Sequence, residues 1–450
     1  MPEAMEESGG KAARGASLRR AAASLSALRL ESPLALVRAA ERTRWRPGSG
    51  AAALYTLLAV MFINMLGFGI IVPLLPFYAA SFKASAWQIA LIFSAYSMGS
   101  FFGEPFWGRL SDRIGRKPIL ISTIFANCAC YGLLAFAPNI LTAFFIRFFG
   151  GMAAGNGSVV QGYIADVTPA EERPGRMGKL GAAYNIGFIL GPFVGGALAK
   201  TSVGPIGFQI PLLAASSLAG LSAICIAIFV RESRTRIATA VKQKGPSRWR
   251  MFAYALSHPV IGRLMLLTFV AGFAFTGIES TFGLWAQQRF GWEPKDVGIC
   301  FGIAGAASAF TQFFVTGPLS KRFGAANMLA LGMAGTVAMI AVQPFSGGGW
   351  RTVLLMAAQS MFSSVAFPNS SALISGAIDP NNQGRVMGLN NATGAFARFV
   401  GPLCAGFVFA DLSVNWPFWM GAMVIAPAIL LALWAGRAVQ SGAALLSIPA

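Results

Sequence analysis

Gly108-Arg-Leu-Ser-Asp-Arg-Ile-Gly-Arg-Lys-Pro-Ile-Leu120 is a short burst of charge set between two long apolar runs. It reads as a hairpin turn between two membrane helices. Gly108 lets two backbones approach closely, Asp112 can accept hydrogen bonds from the next helix, and Arg113, Arg116 and Lys117 hold the turn on the cytoplasmic side. Pro118 opens the following helix, where its missing N–H costs nothing.

Composition agrees. Of 450 residues 55% are hydrophobic and 11% charged, with a mean hydropathy of +0.62, a balance a water-soluble domain of this length does not carry. The chain is polytopic and all-α. A net charge of +19 would suit nucleic acid, but its placement excludes that partner: 28 of the 35 Lys and Arg fall in two tails and the loops of one side. Lys83, Lys200, Arg289, Lys295 and Arg351 fall on the other side, and Arg147 and Arg398 lie inside helices. This is the positive-inside asymmetry, which puts both termini in the cytoplasm. Cys128, Cys130, Cys225, Cys300 and Cys404 lie in apolar runs without metal spacing and read as buried, inert thiols. The sole histidine, His258, precedes Pro259 and reads as a solvated loop residue rather than a proton shuttle. With no metal cluster and no nucleophile–base pair, an enzyme is not expected.

Residues 1–52 carry nine basic and five acidic residues and no apolar run long enough for a signal peptide. They read as a cytoplasmic tail, flexible or lying on the surface, or as an over-extended start; the five Glu argue against a transit peptide. Twelve apolar runs of spanning length follow, at about 53–79, 87–108, 118–137, 140–165, 177–199, 207–230, 262–286, 296–317, 327–345, 351–375, 386–409 and 414–436. The expected organisation is a six-helix bundle over 53–230, a cytoplasmic linker over 231–261, a second bundle over 262–436 and a tail over 437–450.

The two halves repeat. Gly108-Arg-Leu-Ser-Asp-Arg-Ile-Gly115 is echoed by Gly317-Pro-Leu-Ser-Lys-Arg-Phe-Gly324, 209 residues on. Gly175-Arg-Met-Gly178 is echoed by Gly384-Arg-Val-Met-Gly388, and Gly191-Pro192 by Gly401-Pro402, at offsets of 209 to 210. Such echoes imply two pseudo-symmetric six-helix bundles, a substrate site between them near the bilayer midplane, and alternating access by rocking. Lys321 stands where Asp112 stands in the first half, so the acidic group is kept in one repeat.

The order Gly108, Asp112, Arg113, Gly115, Arg116, Lys117 resembles the loop between helices 2 and 3 of the major facilitator superfamily, G-x-L-[AS]-D-R-x-G-R-[KR]. The first run, Phe62 to Pro76 with paired glycines and prolines, resembles helix 1 of its drug:proton antiporters, above all the tetracycline-efflux branch. There position 64 is commonly acidic; Asn64 can hydrogen-bond a substrate but cannot titrate. Arg147-Phe-Phe-Gly-Gly-Met-Ala-Ala154 is similar to the pattern R-x-x-Q-G-x-x-x-A, with Gly150 in place of glutamine. Gly187-Phe-Ile-Leu-Gly191-Pro192-Phe-Val-Gly195-Gly196 resembles G-x-x-x-G-P-x-x-G-G, a motif of antiporters rather than uptake symporters. The bland reading of this run is tight small-residue packing around a proline kink. The resemblance implies a twelve-helix fold and efflux of small organic molecules by proton antiport, with the proton gradient as energy source and no cofactor. It also implies a salt bridge from Asp166 to the loop arginines that closes an inner gate, and a bacterial inner membrane as the location. A solute-uptake symporter and a non-transporting sensor remain alternatives.

Glu104, Gly108 and Asp112 recur at i, i+4, i+8 and share a helix face. Glu104 belongs to the gate network, is a proton site, or is an interfacial side chain reaching water. Cavity-facing candidates are Asn64, Gln161, Phe275, Trp285, Gln359, Phe362 and Asn369, groups that suit an amphipathic organic molecule better than a sugar or a phosphate. Arg147 and Glu279 each lie seven residues from an outer helix end, so at about 1.5 Å per residue both sit about 10 Å below the outer surface. An isolated carboxylate there is expensive. Glu279 is therefore the expected proton carrier, alternately neutralised by a proton and by Arg147. The alternatives are that Glu279 is a static hydrogen-bonding group and that Arg147 snorkels to the interface.

Overall fold

The computed structural model describes residues 49–168, 172–233, 259–376 and 383–440. His258 and most of the expected linker lie outside the described residues. The chain divides into two compact units, Met1–Leu54 and Tyr55–Ala450, and the second holds nearly all of the helical residues described.

Among the described residues twelve helical rods run up and down. In chain order the helices are α1 (Ser49–Ile71), α2 (Leu75–Ala80), α3 (Ala86–Ile114), α4 (Arg116–Ala135), α5 (Ile140–Ala154), α6 (Gly157–Val167), α7 (Arg173–Leu198) and α8 (Gln209–Phe229). They continue with α9 (Pro259–Phe290), α10 (Pro294–Phe310), α11 (Gly317–Phe323), α12 (Ala325–Val342), α13 (Gly349–Gly376), α14 (Gln383–Asp411) and α15 (Trp416–Gln440). Three rods are broken, α1–α2 at Val72-Pro73-Leu74, α5–α6 at Gly155-Asn156, and α10–α11 by a π-helical segment, Thr311–Thr316. The π segment has a local cause. Pro318 has no N–H to offer the Phe314 carbonyl one turn back, which weakens the ladder where the π segment ends, and the Thr316 hydroxyl adds a bond to the Thr311 carbonyl at 3.1 Å.

Nine stretches among the described residues are long and apolar enough to cross a membrane. The rods that fall short are α3, the α5–α6 pair and α13, which carry Glu104 and Asp112, the Gly155 break, and Gln359 and Asn369. The outside is apolar: Phe125, Phe149, Ile228, Phe314, Leu354 and Leu430 are all exposed, as lipid contact requires. The protein is an integral, multi-pass membrane protein.

The charged turn is shorter than the sequence suggests. α3 runs through Gly108 and Asp112 to Ile114, and the reversal is made by Gly115 alone, at φ 118° and ψ 159°. Gly324 repeats this at φ 83° and ψ 149° between α11 and α12. Backbone of this kind is open essentially to glycine alone. The end of the molecule that carries Gly115 is its basic end.

Glycines set the packing within each half. A Cβ on Gly99 or Gly103 of α3 would run into the Phe148 carbonyl and the Met152 backbone of α5, and one on Gly151 into the Tyr96 carbonyl. Gly187, Gly191 and Gly195 of α7 lie against Phe62, Gly69 and Ile70 of α1. The second half repeats the arrangement, with Gly401 of α14 against Phe273 and Gly277 of α9. Backbones this close gain dispersion where no hydrophobic drive exists between helices in lipid.

Between the halves the close contacts lie at the end opposite Gly115. Gly196 packs on Pro294 and Gly298 of α10, Gly406 on Ala86 and Ala90 of α3, and Gly283 on Pro76 and Phe77 of α2. The pairs α7–α10 and α14–α3 are related by the internal repeat. Nearer mid-depth the Ser94 hydroxyl donates to the Phe399 carbonyl at 2.8 Å, and the Asn185 amide to Gln312 Oε1 at 3.1 Å.

Candidate functional site

At the basic end Arg116 is buried and holds three elements together. Its guanidinium reaches Asp112 at 3.0 Å, Asp166 at 3.3 Å and the Ser111 hydroxyl at 2.6 Å. Glu232, just past α8, accepts from the Arg116 and Lys117 amides at 2.9 and 3.0 Å. A carboxylate there satisfies the open N–H groups of α4 and meets the positive end of its dipole. Ser233 donates to Asp166 at 3.2 Å, and the Lys117 ammonium to the Ala227 carbonyl at 2.7 Å. Gly162 is needed because the Arg116 guanidinium lies across it. These bonds all join rods of the first half, α3, α4, α6 and the end of α8. Arg113 is exposed.

Between the halves lies a cavity of about 320 Å³, lined by α7 and Val72 on one side and by α9, α10, the π segment and α13 on the other. Phe188, Phe275, Phe301 and Phe367 give it an aromatic wall, and Asn185, Gln312, Gln359, Ser360 and Glu279 supply its polar groups. Pro192 of the glycine motif opens onto it. The same motif therefore packs α7 on α1, seals the halves through Gly196, and forms part of the cavity wall.

The expected cavity residues divide. Phe275 and Gln359 line the cavity. Trp285 does not: it is fully buried, packed on Phe290 and Phe418, and donates to Asn415 at 2.9 Å. Phe362 fills the groove left by Gly332 and Gly335 of α12, and Phe367 takes the wall position. Asn369 is buried and donates back to Val365 at 2.8 Å within its own helix. Asn64 is half-buried, and Gln161, beyond the Gly155 break, is exposed; neither is among the residues lining the cavity.

Arg147 and Glu279 are not brought together. Arg147 lies four residues before Gly151, which packs on α3, so it emerges on the same face. Its guanidinium stacks on the Tyr96 ring at 4.3 Å, with Tyr131 and Cys130 within Coulombic range. The cation in range of Glu279 is Arg398 of α14, which is also in range of Glu104 on α3. Glu104 points toward Gly157 at the head of α6, and Tyr184 of α7 lies within its range. Arg398 thus lies within Coulombic range of one carboxylate in each half, without an ion pair to either among the described residues. Of the cysteines Cys300 alone is fully buried; the other four are partly exposed and all five are free.

The sequence matches the model of the Major Facilitator Superfamily over residues 57–339 and 264–444. This chain belongs to the Major Facilitator Superfamily. It is 26% identical over 367 residues to the tetracycline resistance protein, class C, of Escherichia coli, spanning 81% of this chain and 91% of that protein. It is 28% identical over 379 residues to multidrug resistance protein 2 of Bacillus subtilis (strain 168), spanning 82% and 91%. A bacterial homologue of the human lysosomal transporter Spinster, solved in an inward-facing, unoccupied conformation, shares the fold with a TM-score of 0.67 at 13% identity, covering 88% of this chain and 97% of that one.

For a superfamily transporter the residues missed by sequence reasoning are Arg398 and Glu232. An arginine inside a helix is itself a signal. Glu279 comes near Arg398 through packing of α9 on α14 inside the second half, and Glu104 only when the halves are placed side by side. Glu232 lies within a basic stretch that reads as linker. The structure makes it the cap of α4.

Proposed function

We propose that this chain exports amphipathic organic molecules in exchange for protons, rocking its halves about the cavity that contains Glu279. The observation that carries this reading is the cavity itself, an aromatic and amide wall with one carboxylate among its described residues. Aromatic walls with a few polar groups suit flat, partly polar molecules. The names of the tetracycline and multidrug resistance relatives support the same class. The basic end faces the cytoplasm of a bacterial inner membrane, because Lys and Arg collect there, and the cycle needs no bound cofactor. Close contact at the opposite end makes this the state open toward the cytoplasm, in which substrate is taken up. Arg398 and Glu279 belong to the same half, so rocking moves Arg398 toward or away from Glu104 of the first half; when Arg398 turns to Glu104, Glu279 takes a proton, since an unpaired charge in the membrane is costly.

The test is substrate-induced proton release from proteoliposomes loaded with tetracycline or ethidium as probes. Wild-type protein is expected to exchange protons for probe, and Glu279→Gln to bind probe but release no protons. Exchange at the wild-type ratio by Glu279→Gln overturns the assignment, and accumulation of probe by intact cells overturns the direction.

A further inference from the structure

A second cavity, a slot of about 200 Å³, is lined only by residues of the second half, from α9, α12, α13, α14 and α15. It adjoins the central cavity, since Phe275, Gln359, Ser363 and Phe367 line both. Among the described residues no charged side chain lines it. Three of its hydroxyls are already engaged: Thr336 donates to the Gly332 carbonyl at 2.8 Å and pairs with Ser363 at 3.2 Å, and Thr268 donates to the Leu264 carbonyl at 3.2 Å.

Its amides are different. Gln359 and Asn390 are 4% and 6% exposed, and Gln359 Oε1 and Asn390 Oδ1 are buried with no hydrogen-bond partner among the described residues. A buried acceptor without a donor is destabilising and rare in native structures. At about 1.5 Å per residue, Gln359 lies about 25 Å and Asn390 about 10 Å from the basic end along their helices. One orphan acceptor therefore sits where the slot meets the central cavity, and the other lies deeper along it.

We propose that this slot is a second binding subsite, which takes an end of the transported molecule bearing N–H donors while its ring system stays against the aromatic wall. This rests on the reading of the central cavity as the transport site and adds a selection rule to it. Ring stacking tolerates many molecules; two orphan oxygens at different depths select those with donors to offer.

The test compares two dyes with the same three-ring cation, proflavine, which has a free amino group at each end, and acridine orange, in which both amines are dimethylated. Their binding is read by fluorescence titration of purified protein in lipid nanodiscs. Wild-type protein is expected to prefer proflavine by about tenfold, the effect of roughly one net hydrogen bond. In Asn390→Leu and in Gln359→Leu the ratio of the two Kd values is expected to fall toward one. Where either variant fails to assemble, Asn390→Ala or Gln359→Met carries the same criterion. Equal affinities in the wild type, or a preference retained by both variants, would overturn the proposal and leave the slot as a water-filled space. Because binding needs no gradient, a preference without proton-coupled export defeats the transport reading alone, and export without a preference defeats this one alone.

Discussion

Gly115 and Gly324 occupy equivalent places in the two halves and share the same rare backbone, yet their surroundings differ. A Cβ on Gly115 would press on the Glu232 carboxylate, whereas nothing among the described residues lies within 4 Å of one on Gly324. Gly324→Ala should therefore cost only backbone strain, about 1–3 kcal/mol, and Gly115→Ala should cost that plus the displaced cap. The check is thermal unfolding of the purified variants in detergent, with Gly115→Ala melting lower. Glu232→Ala isolates the cap: it frees two amides at the head of α4 and should cost about 0.5–2 kcal/mol. Its melting point should fall by less than that of Gly115→Ala, and an unchanged melting point would mean water serves these amides equally well. At this scale the sequence is half legible. The glycines and Arg116 announce themselves through their spacing, but a carboxylate brought from 115 residues further along the chain to Lys117 has no local signature.

The elements are legible to within a few residues, because an apolar run of spanning length has few other structures open to it in lipid. What periodicity hides are the interruptions. α5 and α6 read as one run, although Asn156, at the break, turns its amide to Thr123 at 3.0 Å. Trp285 and Phe362 mislead for a related reason: an aromatic on a cavity-lining rod has several faces open to it, and distant partners decide which it takes, the α12 glycines for Phe362 and Phe418 with Asn415 for Trp285. The α7 motif permits a sharper test, since its glycines face different partners. Gly191 lies against Gly69 inside the first half, while Gly196 lies against α10 of the second. Gly191→Leu should thus lower thermal stability and abolish export, being forced into a backbone contact that every conformation keeps. Gly196→Leu should leave the melting point nearly unchanged and instead hold the halves apart at that end, seen as faster labelling of a cysteine placed at Lys295. Equal destabilisation by both would show that the motif is packing alone.

For the whole molecule, the repeat at an offset of 209 to 210 residues carries more structural information than any single motif. It relates the α7–α10 contact to the α14–α3 contact, and so specifies a two-fold interface about which the halves can tilt. Which way they tilt is not legible, because an alternating-access protein must fold to both states from one pattern, and the sequence describes their shared interior rather than either opening. The approach of Arg398 to Glu104 is hidden for the same reason, since it depends on how the halves meet. The state with the basic end open has a direct test. Phe193 on α7 and Gly302 on α10 face one another across the halves, with 3.6 Å between the Phe193 Cβ and a Cβ built on Gly302, within the range a disulfide needs. Phe193→Cys with Gly302→Cys, made after replacing the five native cysteines by alanine, should cross-link readily on mild oxidation of unloaded protein. Once linked, the halves cannot separate at this end, so export should cease while probe still binds from the basic end, and a reductant should restore turnover. Full export by the cross-linked protein would mean that α7 and α10 move together and that the halves do not rock about this contact.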